Sequence, residues 1–367
     1  MRGVKSRAMA NHLRRCHDCN QPIGNRETFC PRCGARQPRD PRAASVRAAL
    51  ALAALCVSAT PVHAADSTYP ARPVRLLVTF PAGGGIDLIA RTVGQKLSDA
   101  WGQQFVVDNR GGGGGVIGTE IVARAAPDGY TLLIASGTGM VINPLLMAKL
   151  PYDPARDFAP VTLLAINPTI LAVNASVPVT SVKELIALAR AKPRQLNYAT
   201  VGSGSPIHLG MELFKSMTGT DMMHVPYKGA VLAVTELISG QVHVMLNSMP
   251  TMLPHVKTGK LRALAVGSAR RAKAAPDIMT VAEAGVPGYA AVTWTGVSAP
   301  MKTPAAIIGK LNQEIARVLA DADTVQRLAA QGAEAQPGTP EAFARFMREE
   351  TERARKVIQI AGIKADG

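Results

Sequence analysis

A strand, a glycine turn and a helix follow one another without interruption between residues 75 and 101, and this unit limits the fold more than any other feature of the chain. Arg75-Leu-Leu-Val-Thr-Phe80 has the length and apolarity of a buried strand. Pro81-Ala82-Gly83-Gly84-Gly85 continues neither a strand nor a helix. Ile86, Ile89, Val93 and Leu97 then recur at helical spacing, with Asp87 where the helix begins. A glycine loop entering a helix start turns backbone N–H groups to one side and adds the positive end of the helix dipole, which suits an anion. Gly202-Ser203-Gly204-Ser205, followed by Pro206, repeats the device. Two such loops far apart in sequence are expected to form opposing jaws around a small carboxylate.

The alternation continues on both sides of that pair. Strand patterns at 104–108 and 130–135 bracket a helix at 116–125, a βαβαβ order that implies a parallel sheet with right-handed crossovers. Ligands in such sheets bind beyond the carboxyl ends of strands, where Phe80 to Gly85 and Ser136-Gly137-Thr138 fall. Val161 to Val173 is a long extended run that reads as a crossing into a second α/β unit. There, helices are expected at 181–191, 207–217 and 231–238, and strands at 197–201, 242–246 and 261–266. Ser181 with Glu184 forms a capping box. The return crossing lies near 289–297, and helices over 304–320, 322–331 and 340–360 follow, with Thr303 and Thr339 each preceding a proline at a helix start. The expected division is a discontinuous domain 1 (65–166 plus 292–367) and a domain 2 (167–291), joined by two strands that act as a hinge with a cleft between them.

Composition narrows the function. At 47% hydrophobic and 18% charged residues the chain is globular, and with 4% aromatics it lacks the stacking surface of a nucleic-acid binder. The net charge of +15 is uneven: residues 1–64 carry 11 Lys+Arg against 3 Asp+Glu, leaving a mildly basic body. Residues 42–64 read as a secretory signal peptide, with Arg42 and Arg47 before an apolar run from Ala48 to Ala59 and a Val62-His63-Ala64 cleavage site. Cleavage after Ala64 leaves a body without cysteine, since all five cysteines lie at or before Cys56. That suits an oxidising periplasm.

The first forty residues conflict with this export signal. Cys16-x-x-Cys19 and Cys30-x-x-Cys33 form two pairs with the spacing of a zinc site, and Pro31-Arg32-Cys33-Gly34 has the form of a zinc-ribbon turn. Either residues 1–41 form a zinc ribbon, or the reading frame starts downstream at Val46; the sequence favours the second reading. The body itself calls for no cofactor.

Several motifs in the body point further. Phe80-Pro-Ala-Gly-Gly-Gly-Ile-Asp87, Asp108-Asn-Arg-Gly111, Ala126-Pro-Asp-Gly-Tyr-Thr-Leu-Leu133, Leu150-Pro-Tyr-Asp-Pro154, His224-Val-Pro-Tyr-Lys-Gly229, Gly259-Lys-Leu-Arg-Ala-Leu-Ala-Val266 and Thr280-Val-Ala-Glu-Ala-Gly-Val-Pro-Gly-Tyr289 occur in order. With them the chain resembles the Bug or TctC family, the periplasmic substrate-binding proteins of tripartite tricarboxylate transporters, over about residues 69–366. The resemblance implies a type II periplasmic binding fold of two α/β domains, and capture of a small organic carboxylate by a monomer. It further implies delivery to a permease of one large and one small subunit, or alternatively presentation of ligand to a sensor kinase.

The expected ligand contacts are Phe80, Gly83, Gly84, Gly85, Asp87, Ser136, Thr138 and Asn143 on one jaw, with Gly202, Ser203, Gly204, Ser205, His208, Tyr227 and Asn247 on the other. Asp87 is expected to cap its helix, and its charge to hold water in the cleft. The chain departs from the family pattern at Ile86, where a hydroxyl is common, and at Asn247-Ser248, where Asp-Asn is common; losing that carboxylate favours a plain carboxylate over an amino acid. Two enzyme readings fail at the sequence. Gly113-x-Gly115-x-x-Gly118 only superficially matches a dinucleotide fingerprint, and no G-x-S-x-G elbow surrounds Ser203 or Ser205. No enzymatic activity and no nucleic-acid partner is expected.

Overall fold

The computed structural model describes residues 14–24, 27–37 and 69–363. The signal-peptide reading over 42–64, Val46 and Cys56 fall outside these residues. The chain separates into two compact units, 1–66 and 67–367.

In the large unit, β1 (Val74–Val78), α1 (Gly85–Trp101), β2 (Phe105–Asn109), α2 (Val116–Ala123) and β3 (Thr131–Ser136) follow the expected order. β1 lies parallel to β2 on one side and to β3 on the other. Helix α1 buries Ile89, Ala90, Val93 and Leu97 on this sheet. It approaches closely at Gly94, where a Cβ would stand 3.1 Å from Leu76 Cδ1 and 3.4 Å from the Phe105 carbonyl oxygen. Gly102 ends the helix in the left-handed conformation (φ 65°), a role that favours glycine.

The extended run 161–173 belongs to a longer strand, β4 (Phe158–Asn174), with most of its residues buried. Beyond it come α3 (Val182–Ala191), β5 (Asn197–Thr200), α4 (Pro206–Thr218), β6 (Met223–Pro226), α5 (Ala230–Ser239), β7 (Val244–Ser248), α6 (Met249–Lys257) and β8 (Leu261–Val266). The chain returns along β9 (Val292–Pro300) and ends with α7 (Ala305–Ala320), α8 (Ala322–Ala330), the two-residue β10 (Glu334–Ala335) and α9 (Pro340–Ala361). Strands run β2-β1-β3-β9-β4-β7-β5-β6 across one curled sheet, with β8 and β10 also paired to β4.

β4 organises the whole sheet. Its first part pairs antiparallel with β9, from Phe158 opposite Pro300 to Pro168 opposite Val292. From Thr169 onward it pairs with β7, and from Ile170 with β8. Pro168, which has no N–H to donate, sits where β4 changes neighbours, a position that tolerates proline. β4 and β9 are thus the two strands that link two α/β domains. The core on one side of this crossing joins both chain ends: Leu76, Ile89, Val93 and Leu97 pack with Leu311, Ile315 and Val318 of α7. On the other side, Leu171, Val173, Leu185, Tyr198, Phe214, Val244 and Leu246 share a separate core.

Local signals account for most boundaries. Ser181 Oγ accepts from the Glu184 N–H (3.2 Å), and Glu184 reaches back to Thr180 N (2.6 Å). Thr339 caps α9 by accepting from Ala342 N (3.2 Å). Thr303 does not cap: its hydroxyl donates to the Pro300 carbonyl (2.7 Å), and α7 starts at Ala305 with Pro304 in the cap position. β6 and α6 were not expected from the sequence. β6 is short with none of its residues buried, and α6 carries Pro250 in its first turn and Pro254 within it.

Candidate functional site

β1 delivers its chain into the glycine turn, which meets domain 2. Gly83 has a left-handed backbone (φ +84°), and a Cβ there would stand 3.1 Å from Val231 Cγ2 of α5. At Gly85 a Cβ would stand 2.7 Å from Ser248 Oγ. The Gly85 N–H donates to Thr251 Oγ1 across the cleft (3.2 Å). The glycines therefore let the first turn of α1 lie directly against the junction of β7 and α6.

Behind this contact is a cavity of about 590 Å³, counting its open mouth. Phe80, Ile86, Val201, Pro206, Ile207 and Trp294 supply apolar wall, and Gly84, Gly85, Asp87, Ser136, Thr138, Asn247, Ser248 and Thr251 supply polar groups. Two buried polar side chains line it from opposite domains with an atom that has no partner. Ser136, 4% exposed at the end of β3, leaves its Oγ unbonded. Asn247, 3% exposed on β7, leaves its Nδ2 unbonded. The Asn247 side-chain carbonyl accepts from Ser248 N (2.7 Å), which fixes the amide so that its N–H donors are the unsatisfied side. Buried donors without acceptors are costly, by about 1–3 kcal/mol each.

The start of α1 adds further donors. Its first intrahelical bond runs from Leu88 N to Gly84 O (3.1 Å), so the Ile86 and Asp87 N–H groups at the cavity have no partner within the helix. Asp87 is itself 2% exposed and its carboxylate is committed. It accepts from Gly83 N (2.9 Å), Arg91 Nε (3.0 Å) and Asn109 Nδ2 (3.0 Å). Burial alone would raise its pKa; the bonds from Arg91, the Gly83 N–H and Asn109 outweigh it and hold the carboxyl below its usual range. Asp87 thus stays ionised as a clamp on the glycine turn, with its charge answered by Arg91. Among the described residues no Lys, Arg or His lines the cavity. The hydrogen-bond donors it offers are neutral side chains and the N-terminus of a helix, a setting that favours anions.

Seven of the expected contacts meet at the cavity: Phe80, Gly84, Gly85, Asp87, Ser136, Thr138 and Asn247. The others lie elsewhere. Gly83 spends its N–H on Asp87. Asn143 donates to the Gly114 carbonyl (3.1 Å) and anchors the loop Gly112–Gly115, a run of four left-handed glycines outside the cavity. The loop 202–205 satisfies itself. Gly202 N donates to Thr200 Oγ1 (3.2 Å), Gly204 N to His208 Nδ1 (3.2 Å), and Ser205 Oγ accepts from His208 N (3.2 Å) as the cap of α4. Ser203 is exposed. The His208 ring stacks on His224 with centroids 4.1 Å apart. Tyr227 packs against the domain 2 core, and its N–H donates to Thr200 O (3.0 Å). The second jaw is therefore built from Val201, Pro206 and Ile207, which flank that loop, and from the end of β7. Trp294 and Thr251 were missed. Met249-Pro250-Thr251 carried a usable signal, a proline at a helix start directly after a strand; Trp294 is a lone aromatic whose place depends on the hinge strands.

The family model described as "Tripartite tricarboxylate transporter family receptor" matches residues 89–363. Protein BugT of Bordetella pertussis is 39% identical over 307 residues, covering 83% of this chain and 94% of that protein. Among solved structures, Rpa4515 of R. palustris with adipate is 41% identical with a TM-score of 0.79, covering 81% of this chain and 99% of that one. MatC of Rhodopseudomonas palustris with bound malate is 32% identical with a TM-score of 0.74, covering 79% and 100%.

Proposed function

This chain belongs to the tripartite tricarboxylate transporter receptor family, and we propose that its cleft captures a small aliphatic carboxylate in the periplasm and delivers it, as a monomer, to the membrane permease. The family is one of solute receptors and not of enzymes. The observation that carries the ligand class is the pair of unpartnered, buried donors, Ser136 and Asn247, facing one cavity from two domains. A ligand carboxylate accepts from both and from the α1 amides, and so ties the domains together. Residues 65–166 plus 292–367 and residues 167–291 then move as the two bodies of a hinge at β4 and β9. The walls formed by Ile86, Val201, Ile207 and Trp294 suit an aliphatic chain. An α-ammonium group finds no uncommitted carboxylate among the described lining residues, because Asp87 is bonded to Arg91, Asn109 and Gly83. Adipate with Rpa4515 and malate bound to MatC support the same class. Among the described residues no helix is long and apolar enough to cross a membrane.

A thermal-shift panel of mono-, di- and tricarboxylates and acidic amino acids tests this reading. A ligand present at 100 times its Kd stabilises the folded state by about 2.7 kcal/mol. A plain aliphatic dicarboxylate is expected to raise the melting midpoint, and glutamate and aspartate are not. Stabilisation by the amino acids alone, or by no carboxylate, would overturn it.

A further inference from the structure

The small N-terminal unit holds a second site that the receptor function does not use. Cys16, Cys19, Cys30 and Cys33 bring their four sulfurs within 4.8 Å of one another, and among the described residues they form the one cluster of three or more metal-ligating side chains. The two cysteine pairs sit on matching turns. Asn20 N donates to Cys16 O (3.0 Å) and Gly34 N to Cys30 O (2.9 Å). Cys16 N donates to Gln21 O (2.9 Å) and Cys30 N to Ala35 O (2.9 Å). The residue after the second cysteine is left-handed in each turn, Asn20 with φ 52° and Gly34 with φ 74°. The sequence Cys-x-x-Cys followed by Asn or Gly thus encodes one knuckle twice, and the two face each other.

The sulfur spacing identifies what belongs between them. Cys16 Sγ lies 3.7 Å from Cys33 Sγ, and Cys19 Sγ lies 3.7 Å from Cys30 Sγ. Sulfurs bonded to one zinc ion at about 2.3 Å in a tetrahedron stand about 3.8 Å apart, whereas a disulfide needs about 2.05 Å. Both of these pairs join one knuckle to the other, as a single shared ion requires. A further donor points inward: Gln37 Nε2 lies 3.1 Å from Cys16 Sγ, a bond that would orient and stabilise a metal-bound thiolate.

The size of the core points the same way. Among the described residues of this unit the buried apolar content is Cys16, Ile23 and Cys30, with Cys19 and Ala35 packed beside them. A core of that size does not offset the ordering entropy of some twenty residues, and a structural metal supplies the difference in domains of this kind.

We infer that Cys16, Cys19, Cys30 and Cys33 bind one zinc ion as a closed tetrathiolate site that holds residues 14–24 and 27–37 folded. Four protein ligands leave no position for water or substrate, so the site is structural. Thiolate ligation requires the four cysteines to stay reduced.

The test is the metal content of the full chain, purified from a reducing cytosol without added metal. One zinc per chain by elemental analysis is expected. Zinc-free protein refolded with Co²⁺ should show a thiolate-to-cobalt charge-transfer band with the visible bands of a tetrahedral site, and added Zn²⁺ should abolish them. Cys33→Ser should lose the zinc while the body keeps its melting transition. The cobalt spectrum of the unaltered chain keeps the proposal testable where that variant does not fold. Iron in place of zinc, two disulfides with no free thiol, or no bound metal and no cobalt spectrum would each overturn it.

Discussion

Asn247→Asp is expected to weaken carboxylate binding by about 100-fold or more. Asn247 is buried and offers the ligand a donor whose own carbonyl is fixed by Ser248 N. Aspartate removes that donor and sets an acceptor against an acceptor. A hydrogen bond to a charged group contributes about 1.5–3 kcal/mol, and like charges facing each other in an interface cost several kcal/mol more. Asn247→Leu removes the donor without adding charge, and a loss of about 10- to 100-fold is expected from the hydrogen-bond contribution alone. The order Asn, then Leu, then Asp is the signature of anion recognition at this position, and titration calorimetry of the three proteins reads it directly. An aspartate variant that binds within about threefold of the parent would show that Nδ2 does not meet the ligand.

Phe343→Ala is expected to cost about 3–5 kcal/mol of stability. Helix α9 is rich in charge and buries only two of its residues, Phe343 and Ala354. The Phe343 ring is seated over Gly296 of β9, with no room for a side chain beneath it. It also meets the Trp294 ring edge-on, with centroids 5.6 Å apart at 82°. Removing it takes away the main anchor of the helix and leaves a cavity against the hinge strand. Trp294 is part of the ligand cavity, so the variant should also bind more weakly. Urea denaturation measures the first effect. A change below about 1 kcal/mol would mean that the surrounding helices close over the gap.

The parts of this molecule that were legible in the sequence are those fixed by neighbouring residues. The unit from β1 through Gly83-Gly84-Gly85 to α1 was readable because a parallel strand is apolar throughout and its helix is periodic. Ser136 was singled out by the rule that ligands sit beyond strand ends, whereas Asn247 was singled out only by its departure from the family pattern. Gly202-Ser203-Gly204-Ser205 shows the limit of that reasoning. Its sequence is that of an anion loop, yet His208 turns back and takes the Gly204 N–H while Ser205 takes that of His208. Whether a loop's donors face a ligand or their own helix depends on one side-chain rotation, which composition does not record. Helix α6 was hidden by Pro250 and Pro254: the first is compatible with a helix start, and the second removes one internal bond that the packing of Met249, Met252 and Leu253 into the domain 2 core offsets. Trp294 joins the site only because β4 and β9 pair across more than 120 residues of chain, a relation no local pattern carries.

Calorimetric titration of the protein with a six-carbon aliphatic dicarboxylate and with its neutral diamide tests the central claim most directly. The two ligands share length and shape and differ in charge. Saturable binding of one dicarboxylate per chain and no measurable binding of the diamide are expected if Ser136, Asn247 and the start of α1 recognise an anion. Equal binding of both would assign the cavity to its apolar walls and contradict recognition of a carboxylate.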